Sequence, residues 1–481
     1  MMQMPQIIVM MKKKRLMATF VFWLAVGWLS YLGICQLSYN NQASLLRPLG
    51  FFVVLSALLP SIIYLWKLMT GKVVDPIPFL PLVGIIYAIY YGMPAMADEP
   101  LQFRLQPISL EVMVKSYQIA LAGWWALIFG FYFLGKLIKV KPFLFLLGNS
   151  IAAKKTAIRF VLIGFCSEII PKFVSLPSAL GQLPLLLNNF LPLGFGILII
   201  LSLQGDFPKG SLIEIFLWVL VLPLFLLLKL SSGLLGTFIF PVIFIFILFW
   251  VFSPKLHYVW VCIILLPILI LLKGSIAEYR AATWYGEKQN LSSFEKSQLL
   301  IEITKKRVLS MGLVDSFEES KKGVKERASQ IVTLMRVIDQ TPRYIPYLNG
   351  ETYRTFLYTL IPRVIWPSKP VKDLGQRFGH LYGFLDENDS TTSINFPQLT
   401  EFYANFGYMG VLIGMLIVGS LYRVLYQKLN QPWSEKGTLL TGAFIFTNLM
   451  NIENDLSMIF CMAFYQLIAL FFARKFIKSK S

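Results

Sequence analysis

Apolar stretches separated by short polar breaks recur along most of this chain, and many approach the ~20 residues that a helix needs to cross the hydrocarbon of a bilayer. They predict helices near 16–37, 48–68, 77–97, 116–135, 156–175, 185–203, 211–229, 232–252, 257–273, 400–426, 437–452 and 456–473. Arg159, Glu168 and Lys172 interrupt the fifth, and Pro184, Asn188, Asn189 and Pro192 surround the start of the sixth. Residues 173–192 therefore also fit a re-entrant or interfacial piece, which is tolerated at depth only where protein or a watery cavity covers its backbone. One interval breaks the rhythm. Residues 274–399 form a long polar connection, helix-prone over 286–345, in which Ile331, Leu334, Met335 and Ile338 share one helical face. That spacing fits a lid or cap packed on the membrane part. The pattern thus predicts an all-α polytopic membrane protein of about twelve transmembrane helices. Helices 1–9 lie in 1–273, a long external loop with short helices in 274–399, and helices 10–12 in 400–481.

Composition supports this and removes rivals. The 481 residues are 56% hydrophobic and only 14% charged, against roughly 25% charged in a soluble domain. The net charge of +19 suggests nucleic acid until the basic residues are placed. With Lys12, Lys13, Lys14 and Arg15 in the cytoplasm, the same side collects Lys72, Lys136, Lys139, Lys141, Lys154, Lys155, Lys209, Lys255, Lys428, Lys436, Arg474, Lys475, Lys478 and Lys480. Opposite short loops carry little beyond Arg47, Arg104, Lys115 and Lys229. This is the positive-inside pattern: both termini are expected in the cytoplasm, the long loop outside, and no nucleic acid as partner. The N-terminal basic flank and apolar run resemble a signal sequence without a cleavage site, so a retained first helix is expected, with Met1, Met10 or Met11 as its start. Cys35, Cys166, Cys262 and Cys461 each lie in an apolar run and read as small buried hydrophobes. His257 and His380 are the only histidines. No His-rich metal cage, Walker loop, GxSxG elbow or HExxH is present, and no metal or cofactor is expected. Energy for any reaction would have to arrive in the substrate.

The densest mixture of polar, aromatic and proline residues lies at 353–410. The run TPRYIPYLNGETYRTFLYTLIPRVIWPSKP, followed by a Gly-containing polar passage and FPQLTEFYANFGYMGVLIGMLIVG, resembles the Wzy-type oligosaccharide repeat-unit (O-antigen) polymerases. The likeness covers roughly 327–419 and otherwise rests on many helices with a long late external loop. It implies transfer of a growing glycan from polyprenyl diphosphate to the next lipid-linked repeat unit on the outer face of the inner membrane. The partners implied are that lipid-linked oligosaccharide, the bilayer, and flippase and chain-length regulator proteins.

The residue types suit that reaction. Negative charge builds on a departing diphosphate, and a planar guanidinium grips two phosphate oxygens at once. Arg363, between Pro362 and Pro367 and near Trp366, is the first candidate, as a catalytic and diphosphate-binding group; Lys369, Arg377, Arg280 and Arg327 are the further cations. Snorkelling to lipid phosphates is the alternative for Arg363 and Lys369, a solvated lid position for Arg327, and an interfacial anchor beside Trp284 for Arg280. A base must take the proton from the acceptor hydroxyl, and Glu401 and His380 are the candidates. Glu401 sits four residues before Asn405 on one helical face, where it also suits the positive end of its helix. Tyr353, Tyr403 and Asn405 are the candidate glycan contacts. The Ser/Gly turn that carries an arginine in many such enzymes reads KLSSGLLG here, with Leu234 at the arginine position and Lys229 as a substitute cation.

Three rivals stay open. A lipid-linked saccharide ligase would share the chemistry and differ in acceptor. A metal-dependent membrane glycosyltransferase would use an external acidic pair such as Asp98 and Glu99. A flippase or other transporter would keep its polar residues within the spans, where Glu168 and Lys172 are the notable pair.

Overall fold

The computed structural model describes residues 18, 19, 22, 23 and 46–478, apart from 97–107, 148, 174–176, 178, 179, 207–215, 254–256, 290, 364 and 391. Among the described residues every regular element is helical. The first helices are α1 (Leu46–Met69), α2 (Phe79–Met96), α3 (Leu110–Leu137), α4 (Ser150–Phe173), α5 (Leu183–Gln204), α6 (216–230), α7 (Leu235–Phe252) and α8 (His257–Arg280). Then come α9 (Ser293–Met311), α10 (Leu313–Ala328), α11 (Gln330–Gln340), α12 (Arg354–Thr359) and α13 (Leu374–Leu381) from the long connection. The chain closes with α14 (Gln398–Leu429), α15 (Lys436–Leu449) and α16 (Leu456–Lys478).

Six of these, α1, α2, α3, α5, α14 and α16, are long and apolar enough to cross a membrane. The surface of the first is apolar as well. On α1, Phe52, Leu55, Leu59, Ile63 and Trp66 recur every three or four residues and all stay exposed, the stripe expected where hydrocarbon replaces water. Among the described residues the chain is all-helical, with six helices whose length and composition suit a membrane-embedded protein. Several other expected spans fall short for visible reasons. Lys154, Lys155, Arg159 and Glu168 charge α4, and α15 has only 14 residues. All of the 16–37 run but residues 18, 19, 22 and 23, and the first part of 211–229, lie outside the described residues.

Small residues set the close crossings. A Cβ on Gly130 of α3 would stand 2.1 Å from the Leu416 carbonyl oxygen, and one on Gly419 of α14 would stand 2.0 Å from that of Leu127. Backbone against backbone leaves no side chain to yield. Gly419→Val is therefore expected to prise α3 from α14 and cost about 1–3 kcal/mol, read as a lowered melting temperature in detergent; an unchanged melting curve would refute the tight crossing.

The polar connection folds in two ways. In α9 and α10 it makes a helical hairpin along α8, opened by a capping box in which Ser292 Oγ accepts from the Glu295 N–H and the Glu295 carboxylate from the Ser292 N–H. In α11 it enters the core: Ile331, Leu334, Met335 and Ile338 are buried, and the helix packs against α3 and α14. The helical spacing of those four residues marks this inward face correctly. Cys461 is half-buried, but Cys166 is exposed on α4, which corrects its reading as a buried hydrophobe; both are free thiols.

Candidate functional site

Residues 348–397 return to one end of α14 and α16, and α14 is shaped to receive them. At Gly407 its backbone leaves the helix, with φ 63°, a value that glycine adopts without strain. There the Tyr347 hydroxyl stands 2.8 Å from where a Cβ would be. Just before the break, Leu348 and Asn349 donate their N–H groups to the Ala404 and Asn405 carbonyls. The buried Asn405 amide closes the joint: Oδ1 accepts from the Gly350 N–H at 2.8 Å, while Nδ2 donates to Thr352 Oγ1 at 2.9 Å and to the Glu401 carbonyl at 2.8 Å. Its donors and acceptor are thus engaged inside the protein, which makes it a scaffold for the loop. Tyr403 is also buried, beside Tyr347. Tyr353 stacks on Phe406 at 6.2 Å, and burial, with the Glu401 carboxylate nearby, pushes its phenol pKa upward.

Glu401 is fully enclosed. One oxygen, Oε2, accepts from the Leu456 N–H at 2.9 Å, and so meets the positive end of α16. The other, Oε1, has no hydrogen-bond partner. One residue away Asp455 caps the same helix, taking the Met458 N–H at 2.9 Å, and forms an ion pair with Lys372 at 2.7 Å. Two carboxylates and one lysine therefore converge on the first turn of α16. Sequence reasoning marked Glu401 and missed Lys372 and Asp455; the acid in the NIENDLS loop and the lysine in PSKPVKD are the signals that were there.

The cation-bearing turn lies against the next turn of α16. Phe356 packs on Phe460, and the Cys461 thiol donates to the Thr359 carbonyl. Arg363 donates its N–H to Gln182 Oε1 at 3.0 Å and, through Nη1, to the Pro367 carbonyl at 3.0 Å. A guanidinium has five N–H donors, so this bond leaves most of its donor capacity on a half-exposed side chain. Lys369 points inward. Its ammonium donates to the Tyr358 and Ile361 carbonyls at 3.0 and 2.6 Å, and burial, then the Arg363 charge, push its pKa below the ordinary lysine value. Leu357, Ile365 and Val371 stand exposed around this turn.

A cleft of about 540 Å³ with mixed walls opens between α13 and the 348–355 segment, with Glu351, Thr352, Asp373, Arg377, His380 and Glu387 among its polar lining. Arg377 meets Glu351 at 2.7 Å, and that hydrogen bond holds the Glu351 carboxyl below its usual range. His380 and Arg377 thus share one cleft, whereas Arg363, Lys369 and Glu401 do not line it. Among the described residues a second hollow, of about 650 Å³, is walled by α3, at Leu110, Glu111, Val114, Lys115 and Gln118. It is an open surface groove.

Two sequence candidates sit elsewhere. The Arg327 side chain lies outside the described residues. Arg280, at the end of α8, donates from Nε to the Gly233 carbonyl at 3.0 Å and stacks over Trp284 at 4.7 Å. The SSGLLG turn, whose own sequence has Leu234 at the expected arginine position, thus receives a guanidinium from another helix. Lys229 is engaged elsewhere, with Glu168 of α4 at 3.0 Å, so Glu168 pairs across helices; the Lys172 side chain lies outside the described residues. Among the described residues no group of three or more His, Cys, Asp or Glu side chains could hold a metal ion; Asp98 and Glu99 lie outside them.

No curated protein and no solved structure matches this chain. One family model, described as a domain of unknown function (DUF8712), matches residues 84–481. That span includes the loop, the cleft and every described residue of the site, and the chain belongs to this family.

Proposed function

We propose that this protein extends a glycan carried on polyprenyl diphosphate by one lipid-linked repeat unit at a time, at the membrane face where 348–397 folds back. The observation that carries this reading is the seating of that segment. Its turn at 357–371 offers exposed apolar side chains and Arg363, its cleft offers polar and aromatic walls, and the first turns of α16 join the two. A substrate made of a lipid tail, a diphosphate and sugars needs those three environments in that order.

In the proposed step the acceptor hydroxyl attacks the anomeric carbon from the face opposite the diphosphate. The bond from that carbon to the diphosphate oxygen breaks, and its electron pair leaves on the diphosphate. The Arg363 guanidinium meets the growing charge. The hydroxyl proton passes to a basic group in the cleft, where His380, Asp373 and Glu387 offer a suitable lone pair and Glu351 is already paired with Arg377. Glu401, enclosed under Tyr353 and Thr352, is assigned a positioning role: it fixes the start of α16.

The reading is tested with purified protein in vesicles containing synthetic polyprenyl-diphosphate repeat units. A ladder of lengthened lipid-linked glycans, unchanged by chelator, is the expected result. Delivery only to a different acceptor would make it a ligase, and chelator-sensitive transfer would favour the metal-dependent rival. Movement of unaltered lipid across the bilayer would favour transport, a reading that the Glu168–Lys229 pair supports.

A further inference from the structure

The α9–α10 hairpin invites a different question from the cleft, because its register on α8 fixes how far it reaches. The Ser297 hydroxyl of α9 donates to the Leu227 carbonyl, and Leu299, Leu300 and Ile303 form a small core with Leu272, Ile276 and Tyr279. Arg307 then donates to the Gly274 carbonyl and pairs with Glu319 of α10 at 2.7 Å. The two helices therefore straddle α8 at Gly274, where a Cβ would stand 2.1 Å from Ser320 Oγ and 2.9 Å from the Arg307 guanidinium carbon. The helix α9 runs antiparallel to α8, so it continues past Gly274 toward the apolar end. Residues 308–312 carry it about 7 Å further at 1.5 Å per residue, alongside 268–272. There α8 carries no charge between Tyr258 and Leu272.

The chain reverses at Gly312, with φ 85°, and the residues around the reversal are large, apolar and uncovered. Leu309 is 75% exposed, Met311 43%, Leu313 59% and Val314 74%. Water would have to be organised around all four, and exposed apolar patches of this kind mark an interaction surface. One charge, Asp315, adjoins the tip in the first turn of α10 and is exposed; the others sit one to two turns back. Lys305 and Lys306 are exposed there and form no ion pair among the described residues, while Lys321 pairs with Glu318. An apolar tip beneath a charged collar, at the level of the apolar run of a neighbouring helix, has the layering of a membrane interface, with ammonium groups at headgroup height.

We infer that the tip of the α9–α10 hairpin, residues 309–314, is seated in the lipid leaflet beside the 268–272 segment of α8, so that lipid is what its exposed apolar side chains meet. The hairpin is then a membrane-dipping element and not an external lid. The inference rests on register and exposure and is independent of the glycan reading.

The test uses the full-length protein in phosphatidylcholine and phosphatidylglycerol vesicles. All four native cysteines are replaced by alanine, and nitroxide labels are placed on Leu313→Cys, Val314→Cys and, as a solvent-facing reference, Glu302→Cys. Collision rates with oxygen and with a water-soluble nickel chelate are compared. At 313 and 314 oxygen access is expected to exceed nickel access severalfold, with the order reversed at 302. Nickel access at 313 and 314 equal to that at 302 overturns the inference in favour of water. Low access to both reagents overturns it in favour of a protein partner, and spin–spin broadening would identify that partner as a second copy. Should the cysteine-free chain fail to fold, a benzophenone amino acid at 314 in the otherwise native chain reads the same contact. Phospholipid adducts support the inference, and protein–protein adducts or none overturn it.

Discussion

Arg363→Ala is expected to remove nearly all chain extension, a fall of about 10²–10³ in transfer rate, while leaving protein abundance in the membrane unchanged. The size follows from deleting a preorganised donor aimed at charge that develops only in the transition state. The fold loses little, because the side chain contributes one hydrogen bond, to the Pro367 carbonyl, worth about 1 kcal/mol, and the bond to Gln182 comes from the backbone. Arg363→Lys is expected to recover only part of the activity, since a point-charge ammonium lacks the planar fork that grips two phosphate oxygens. The measurement is the length distribution of lipid-linked glycan made by each variant at equal protein level. Near-normal polymer from the alanine variant would end the clamp role.

The second large effect is on stability. Lys372 and Asp455 form a mostly buried ion pair, with side chains 19% and 13% exposed. Removing one partner of a buried pair leaves an uncompensated charge and costs about 3–5 kcal/mol, and residual exposure brings this pair to the lower end of that range. Lys372→Met is thus expected to lower the melting temperature sharply. Adding Asp455→Asn, which can still cap α16, should restore most of the loss. If the two changes act additively, within about 0.5 kcal/mol, the pair is not what holds the loop to α16.

The helices were legible because a bilayer demands long apolar runs, and the runs at 48–68, 77–97, 116–135, 185–203, 400–426 and 456–473 fall on the six helices that meet the length and apolarity of a span. Twelve spans were expected from the same reasoning, and the runs that fall short show its limit. A short helix such as α15 is helical because protein surrounds it, and a charged one such as α4 packs one face on α5 and leaves the other exposed; neighbours are invisible in a linear reading. The site divides similarly. Glu401 and Asn405 were legible as one face because four residues return a helix to the same side. The use of Asn405 as a clamp on 348–352 was not, since it depends on a loop more than fifty residues away. Lys372 and Asp455, 83 positions apart, each sit in an unremarkable loop and acquire meaning only when the chain closes. The same holds for Arg280: the sequence shows Leu234 in the SSGLLG turn and gives no sign that a guanidinium arrives there from α8.

The break at Gly407 has a mechanical consequence. Upstream of it, 398–406 is hydrogen-bonded to the loop through Leu348, Asn349, Gly350 and Thr352; downstream, Gly419 locks the rest of α14 to α3. One helix in the sequence is therefore two levers on a shared pivot. The Glu401 end thus ties the loop to the last helix through the Leu456 N–H, on the near side of the pivot from the Gly419 crossing.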